Sequence, residues 1–205
     1  MSAVLAGGLA TLARLASGAS VRWVDARPEP GQRIYFANHT SHLDFVVLWA
    51  ALPRDLRGRT RPVAARDYWA AGRLRRYVAL RLFRAVLVER GGGDVGQVRA
   101  QLDRLVAALD EGSSLILFPE GTRGAGPRMG PFKSGLYYLA RQRPAIDLVP
   151  VHLHNLHRIM PKGEALPVPL LGCVSFGPPL RLGAGEGKAA FLARARAAIE
   201  RLAPA

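Results

Sequence analysis

The 205-residue sequence has one cysteine and three lysines, and it is poor in acidic side chains. Cys173 alone cannot form an internal disulfide, which fits a reducing compartment and excludes a fold held together by disulfides. Lys and Arg number 29 against 15 Asp and Glu, so nearly all of the net charge of +14 comes from arginine. This surplus fits an anionic partner such as phospholipid, a phosphorylated substrate or nucleic acid, and a compositional bias toward Ala, Arg and Gly explains it equally well.

The sequence also lacks a long, strongly apolar run. Residues 1–21 carry one charged side chain, Arg14, and consist largely of Ala, Gly and Ser. A central arginine costs roughly 2.5 to 3.5 kcal/mol in a membrane-spanning helix, and weakly apolar neighbours offset that cost poorly. No basic region precedes the run, which argues against a cleaved secretory signal. We expect residues 1–21 to form a short apolar helix, interfacial or packed on the domain, and residues 22–205 to form one domain.

Short apolar runs alternate with longer segments of helical period, which is typical of an α/β domain. We predict a mostly parallel central sheet flanked by helices. The predicted strands are residues 33–37, 62–65, 85–89, 114–118, 148–152 and 173–176. The clearest helix has Asp94 as its N-cap with Gln97 three residues on, and it ends at Gly112. The last predicted helix covers residues 188–202.

A group of polar residues follows the predicted strand at residues 33–37. The segment NHTSHLD, residues 38–44, leads from this strand into an apolar helix. His39 and Asp44 would point about 140° apart on one regular helix, so His39 must lie in the turn. With Ser41 as N-cap, the loop can fold His39 back onto Asp44 in the first helical turn. Such a pair forms a general base, and simple helix capping is the alternative role.

A second polar segment follows the predicted strand at residues 114–118. The segment PEGTRG, residues 119–124, supplies a glycine for close backbone approach and Arg123 as a bidentate partner for phosphate. An ordinary turn explains the proline and glycine, but it does not require Glu120 and Arg123 beside them. Open α/β sheets bind ligands beyond the carboxyl ends of their strands, so both segments lie where a ligand is expected.

These segments together resemble signature blocks of the 1-acyl-sn-glycerol-3-phosphate acyltransferase family. Residues 38–44 resemble the first block and residues 118–123 the third, in the family's order. The segment VER at residues 88–90 resembles the second block, VPV at 149–151 the fourth, and FKSG at 132–135 the segment that follows the third. The resemblance covers roughly residues 33–180. Two departures are Glu89, where the second block usually has Asp, and Gly124, where the third usually has Ser.

The resemblance implies a glycerolipid acyltransferase fold and direct transfer of a fatty acyl group from a thioester to a lysophospholipid hydroxyl. His39 would be the general base and Asp44 its partner. The acceptor's glycerol-phosphate site would be lined by Arg90, Glu120, Gly121, Thr122, Arg123 and Lys133. The acyl-donor side would be shaped by Val149, Pro150 and Val151.

The same resemblance favours 1-acyl-sn-glycerol-3-phosphate as acceptor, with phosphatidic acid as product, and another lysolipid or an amino-lipid as the alternative acceptor. Acyl-CoA or acyl carrier protein would supply the thioester as co-substrate. Because a thioester is already activated, no metal or other cofactor and no enzyme nucleophile are expected.

Two other classes of protein fit part of the sequence. A metal-dependent hydrolase is suggested by the five histidines, which cluster at residues 39–42 and 152–157, but no Cys or carboxylate at suitable spacing completes the second cluster. A nucleic-acid-binding protein is suggested by the pI of about 11.3 and by the arginine-dense residues 54–90. No nucleic-acid-binding motif accompanies that charge, so we expect no nucleic-acid partner.

A lipid substrate requires the enzyme to reach a bilayer. We expect attachment to the anionic, cytoplasmic face of a membrane, peripheral or weakly anchored, through residues 1–21 and the arginine-dense residues 54–90. A helix is predicted near residues 73–84, and the side expected to face the core carries Leu74, Tyr77, Val78 and Leu82.

Overall fold

The computed structural model describes residues 7–8, 11, 18–25, 28–41, 44–69, 72–89, 94–124, 129–156 and 172–204. Its seven strands are β1 (Ser20–Trp23), β2 (Arg33–Ala37), β3 (Thr60–Ala65), β4 (Val86–Val88), β5 (Ser114–Leu117), β6 (Asp147–His154) and β7 (Cys173–Phe176). They form one sheet in the order β1-β7-β6-β2-β5-β3-β4.

Helices connect most of the strands. Those described are α1 (Asp44–Ala51), α2 (Arg54–Arg57), α3 (Arg66–Trp69), α4 (Arg73–Tyr77), α5 (Val95–Asp110), α6 (Gly135–Gln142) and α7 (Lys188–Glu200). A π-helical turn, Val78–Leu82, follows α4 directly.

The sheet is parallel except where β6 meets β7. β2 lies near its centre, between β5 and β6, and all five of its residues are buried. After Arg33, its residues 34–37 form a continuous apolar run, which is typical of a parallel strand covered on both faces. The predicted mostly parallel sheet flanked by helices is therefore confirmed.

Alternate side chains of the central strands pack into two hydrophobic cores, one on each face of the sheet. Tyr35 and Ile116 pack with residues of α1, whereas Ile34 and Leu115 pack with residues of α5, α6 and α7. This follows from the two-residue period of a strand. Because β2, β3 and β5 run parallel, they end at the same edge of the sheet, and helices cover both faces beneath that edge.

β3 changes its partner half-way along its length. Its residues Thr60 to Pro62 pair with β5, and its residues Val63 to Ala65 pair with β4. Pro62 has no N–H to donate, and it is the last residue paired with β5. Beyond this point β3 and β5 are no longer bonded to each other, so a gap opens between them at the carboxyl edge.

The predicted ends of the main helices agree closely with the structure. The Asp94 side chain caps α5 by accepting a 2.8 Å bond from the Gln97 backbone N–H. Gly112, just beyond the helix, has a φ of +79°, the conformation that glycine adopts most readily. The predicted strands all exist, with ends that differ by up to two residues. The last helix ends at Glu200, two residues before the predicted end.

β1 was missed by the sequence analysis. Three of its four residues are exposed, so it shows no alternating apolar pattern. β1 also crosses the division proposed at residue 21, which stays a prediction. Of the segment predicted as an apolar helix, the structure describes only residues 7, 8, 11 and 18–21.

Among the helices that the structure describes, none combines the length and the apolarity needed to cross a bilayer.

The helix predicted near residues 73–84 is divided between α4 and the π-helical turn. Val78 and Leu82 pack against the core around α1 as predicted, but Tyr77 is 63% exposed, so its predicted core position is wrong. The π-helical turn has more residues per turn, which changes which side chains share a face. The side chain of Leu74 lies outside the described residues.

Candidate active site

The candidate site begins at the carboxyl end of β2. Asn38 follows the last residue of the strand, and its side chain is buried. Its Nδ2 donates to the Leu153 carbonyl at 2.9 Å, and its Oδ1 accepts from the Leu153 N–H at 2.7 Å. Through these two bonds, the Asn38 side chain ties the start of the turn to the backbone of β6.

His39 and Asp44 come together in this turn, as their spacing predicted. His39 Nδ1 lies 2.8 Å from Asp44 Oδ2. Asp44 lies in the first turn of α1 and is fully buried. The same oxygen accepts from the N–H groups of Thr40, at 2.6 Å, and Ser41, at 2.8 Å. One carboxylate therefore shapes the turn and holds the imidazole, while the catalytic role of the pair stays a prediction.

The geometry also assigns the roles of the two ring nitrogens of His39. An ionised carboxylate only accepts hydrogen bonds, so Nδ1 carries the proton and Nε2 is left with a lone pair. The ring stacks on Phe118, with centroids 4.3 Å apart and planes 22° from parallel. Its side chain is 19% exposed, and it lines a cleft. The arrangement can accept a proton from a hydroxyl group placed in that cleft.

The turn after β5 holds the backbone of His39 at both of its polar groups. Glu120 Oε1 accepts from the His39 N–H at 2.8 Å, and the Gly124 N–H donates to the His39 carbonyl at 2.9 Å. Glu120 Oε2 accepts from the Gly130 N–H at 2.8 Å. Glu120 is only 5% exposed. The two segments recognised in the sequence are thus parts of one hydrogen-bonded unit.

The backbone conformation at position 121 favours glycine. Its φ is +69°, a region that residues with a side chain rarely adopt. A Cβ atom there would also lie 2.8 Å from the Cδ, Cε and Nζ atoms of Lys133. The glycine thus lets the Lys133 side chain lie across the turn. Thr122 and Arg123 follow it at the surface of the same cleft.

The cleft has a volume of about 650 Å³ and opens where β3 and β5 part. Its polar end is lined by His39, Thr122, Arg123 and Lys133. The rest is mainly apolar and lies between the strands and the helices α5 and α6; it is lined by Val63, Val88, Leu102, Leu105, Leu117 and Leu136. A long apolar chain with a polar, anionic end matches this distribution of side chains.

Two of the predicted site groups are not placed on the cleft. Val149, Pro150 and Val151 are buried inside β6 and pair with β2, and none of them is among the described cleft-lining residues. Their acyl-donor role stays a prediction. Arg90 lies outside the described residues, although its neighbour Glu89 lines the cleft.

Sequence reasoning missed several residues of the site. Phe118 belongs to a matched segment but was given no role, and the structure places it under the His39 ring. Tyr68 and Trp69 line the cleft from α3. An aromatic residue at a strand end next to a polar motif is the only available signal, and it does not distinguish a stacking partner from a core residue.

The second histidine cluster lies on β6. The rings of His152 and His154 have centroids 6.1 Å apart. Burial, and secondarily the neighbouring His154, lower the pKa of His152 to about 4. His157 lies outside the described residues. Within the described ranges, no three His, Cys, Asp or Glu side chains are grouped so that they could hold a metal ion.

Comparison with known proteins decides the family. The profile of the family described as Acyltransferase matches residues 20–154, more than half of the sequence. The chain belongs to the acyltransferase family. It is 31% identical to the 1-acyl-sn-glycerol-3-phosphate acyltransferase of Limnanthes alba over 153 residues, which cover 72% of this chain and 50% of that protein. It is 30% identical to the human 1-acyl-sn-glycerol-3-phosphate acyltransferase alpha, over 70% of this chain and 48% of that protein. The chain thus spans about half the length of these relatives.

A solved structure supports the fold assignment within this acyltransferase family. The crystal structure of the 1-acyl-sn-glycerophosphate acyltransferase PlsC from Thermotoga maritima superposes with a TM-score of 0.76. The alignment covers 97% of this chain and 77% of the other, at 18% sequence identity. At that identity the likeness establishes a shared fold, and it confirms the glycerolipid acyltransferase-like architecture expected from the sequence.

Proposed function

We propose that this chain transfers a fatty acyl group from a thioester to the free hydroxyl of 1-acyl-sn-glycerol-3-phosphate, giving phosphatidic acid. The observation that carries the proposal is the position of the His39–Asp44 pair, at the polar end of a mainly apolar cleft. The names of the Limnanthes and human relatives support the same acceptor.

The proposed chemistry is a direct transfer with general-base catalysis. His39 Nε2 takes the proton of the acceptor hydroxyl, whose oxygen attacks the thioester carbonyl to form a tetrahedral intermediate. The buried Asp44 carboxylate stabilises the imidazolium that results. The C–S bond then breaks, and the imidazolium returns its proton to the leaving thiolate. No metal or other cofactor takes part, so EDTA is expected to leave the rate unchanged.

The polar end of the cleft is suited to the acceptor phosphate. Arg123 offers a planar fork that can bind a phosphate bidentately, and Lys133 adds a second positive charge. Both side chains line the same cleft as His39. Arg90 is proposed as a third cation by its resemblance to the family's second block.

The apolar part of the cleft is suited to a fatty acyl chain. Leu102, Leu117 and Leu136 present side chains from α5, β5 and α6. Each methylene group removed from water contributes about 0.8 kcal/mol. A chain bound here would direct its carbonyl toward His39 at the polar end.

An assay with purified protein tests the proposal. Acyl-CoA and acyl carrier protein donors would each be combined with lysophosphatidate, other lysophospholipids and an amino-lipid, and products would be identified by mass spectrometry. We expect phosphatidic acid from lysophosphatidate, and its loss in His39→Ala but not in the control His154→Ala. Formation of product only from a different lysolipid would replace the proposed acceptor, and no acyl transfer to any acceptor would reject the function.

We further propose peripheral attachment to an anionic membrane on the cytoplasmic side. Tyr77 and Leu80, on α4 and the π-helical turn, are 63% and 38% exposed. Four arginines of the same segment are also exposed: Arg73, Arg76, Arg81 and Arg84. Apolar side chains among exposed cations suit the headgroup region of anionic lipid, where each arginine near the surface contributes about 1 kcal/mol.

Vesicle sedimentation distinguishes this surface from a general effect of charge. Wild-type protein would be sedimented with vesicles of graded phosphatidylserine content at increasing salt, without and with competing duplex DNA. The double variant Tyr77→Ser, Leu80→Ser is expected to bind several-fold more weakly. The control Val95→Ser removes another apolar side chain, 87% exposed on α5, and is expected to have no effect. Salt-resistant retention released only by detergent would contradict peripheral attachment, because surface electrostatic binding is screened by salt.

A further inference from the structure

We infer that Glu120 is a positioning residue that holds the His39 peptide in place, and that it is not a ligand of the acceptor. This inference rests on the proposed function and changes the role that the family resemblance suggested for Glu120. It concerns the same site, and it separates the residues of the turn after β5 into those that contact substrate and those that support His39.

Within the described residues, both hydrogen bonds of the Glu120 side chain are with the backbone. Its two oxygens accept from the N–H groups of His39 and Gly130, each at 2.8 Å. These donors lie on segments that are distant in sequence, the turn before α1 and the stretch before α6. Hydrogen bonds from backbone N–H groups to an ionised carboxylate are about twice as strong as neutral ones. One side chain therefore ties both segments to the end of β5.

The position of Glu120 does not suit contact with the acceptor. The residue is 5% exposed, and it is not among the described residues that line the cleft, although its neighbours Pro119 and Gly121 are. Each of its oxygens already accepts a bond from a backbone N–H group. A carboxylate also repels the phosphate of the acceptor, and it could accept only from a hydroxyl group. In the described part of the chain, no Lys, Arg or His side chain pairs with it.

The structural consequence is control over the direction of the His39 ring. Asp44 fixes the ring through Nδ1, but the ring position also depends on the peptide to which it is attached. That peptide is held by Glu120 at its N–H and by Gly124 at its carbonyl. A displacement of about 1 Å at a reacting atom costs about a hundredfold in rate. The loss of Glu120 should therefore lower kcat without weakening acceptor binding.

The variant Glu120→Gln keeps the size of the side chain but gives it only one oxygen acceptor. One of the two N–H groups then loses its partner. We expect kcat to fall about a hundredfold while the KM for lysophosphatidate changes by less than about threefold. Glu200→Gln is the matched control, since Glu200 is an exposed partner of Arg196 on α7. A rise of about tenfold or more in acceptor KM with kcat unchanged would overturn the inference.

A second variant and a measurement that does not depend on turnover test the inference independently. In Gly130→Ala, the new Cβ would lie 3.2 Å from Glu120 Oε2, a tight contact that shifts the carboxylate by a few tenths of an ångström and keeps its charge. We expect a several-fold loss of kcat at unchanged acceptor KM, which decides the matter if Glu120→Gln does not fold. In ¹⁵N-labelled protein, the amide proton of His39 should move upfield in either folded variant. An unchanged His39 resonance would overturn the inference even if the chain transferred no acyl group at all.

Discussion

Asp44→Asn is the change whose effect follows most directly from the geometry. Asp44 Oδ2 accepts three bonds, from His39 Nδ1, Thr40 N and Ser41 N, and the side chain is fully buried. In Asn, the single remaining oxygen can replace this acceptor, but it carries no charge. The bonds are then weaker, and the imidazolium formed during the reaction loses its counter-charge. If the amide nitrogen occupies the position of Oδ2 instead, the three groups that donate to Oδ2 meet another donor and lose their acceptor.

The magnitude can be worked out for each effect. Loss of the carboxylate that orients and stabilises a catalytic imidazole lowers kcat by about 10³ to 10⁴, which corresponds to about 4 to 5.5 kcal/mol in the barrier. A buried donor left without an acceptor costs about 1 to 3 kcal/mol of unfolding free energy. We therefore expect a folded protein with a lower melting temperature and very low turnover.

Steady-state kinetics and urea unfolding would be measured for Asp44→Asn, His39→Ala and the double variant. Because the two side chains act as one unit, the double variant should be scarcely slower than His39→Ala. Asp110→Asn is the control, since Asp110 is an exposed partner of Arg143. Strictly multiplicative losses would refute the coupled pair, and near wild-type turnover of His39→Ala would refute the proposed mechanism.

Three further changes test other parts of the structure. Arg123→Lys should raise the acceptor KM by at least about tenfold with a much smaller effect on the donor KM, because lysine cannot bind phosphate bidentately; an equal effect on both would assign Arg123 to the donor. Leu102→Trp, which fills the apolar part of the cleft, should shift the preferred donor toward shorter chains in a chain-length series, and an unchanged profile would place the acyl chain elsewhere. Burial lowers the pKa of His152 to about 4 in the folded protein. The unfolded chain therefore binds a proton at a higher pH, near 6.5, than the folded protein does, and the free energy of unfolding falls as the pH drops from about 6.5 to 4. His152→Phe should remove roughly 1 to 2 kcal/mol of that fall, allowing for solvent around the ring, and identical pH profiles of urea unfolding would contradict this.

The sequence was sufficient to predict the class of fold but not the arrangement of its strands. The alternation of apolar runs and helical segments predicted six of the seven strands that the structure describes, and the helices α5 and α7, because these elements bury a regular face. β1 escaped because its side chains are mostly exposed. The change of partner along β3 depends on pairing between distant segments, so the local sequence does not predict it. Tyr77 was misplaced because a π-helical turn breaks the period assumed.

The candidate site was predictable as far as residue identity allows. The five-residue spacing of His39 and Asp44 at a strand end was enough to predict their contact. The family resemblance drew attention to Glu120 but could not show that its carboxylate points away from the cleft, toward backbone N–H groups. The direction of a side chain depends on donors 81 residues earlier and ten residues later in the chain. Phe118 was overlooked because its partner, the His39 ring, is also distant in sequence.

The anchoring of His39 to neighbouring strands also has a kinetic consequence. Its peptide depends on Glu120, 81 residues later, and the adjacent Asn38 depends on Leu153, 115 residues later. Contacts this distant in sequence form late, because closing long loops costs entropy before the contacts are made. A nascent or refolding chain would hold its own His39 in many orientations until β5 and β6 have joined β2. Recovery of acyl transfer after dilution from urea should therefore follow completion of the central sheet, and helix formation alone should restore none of it.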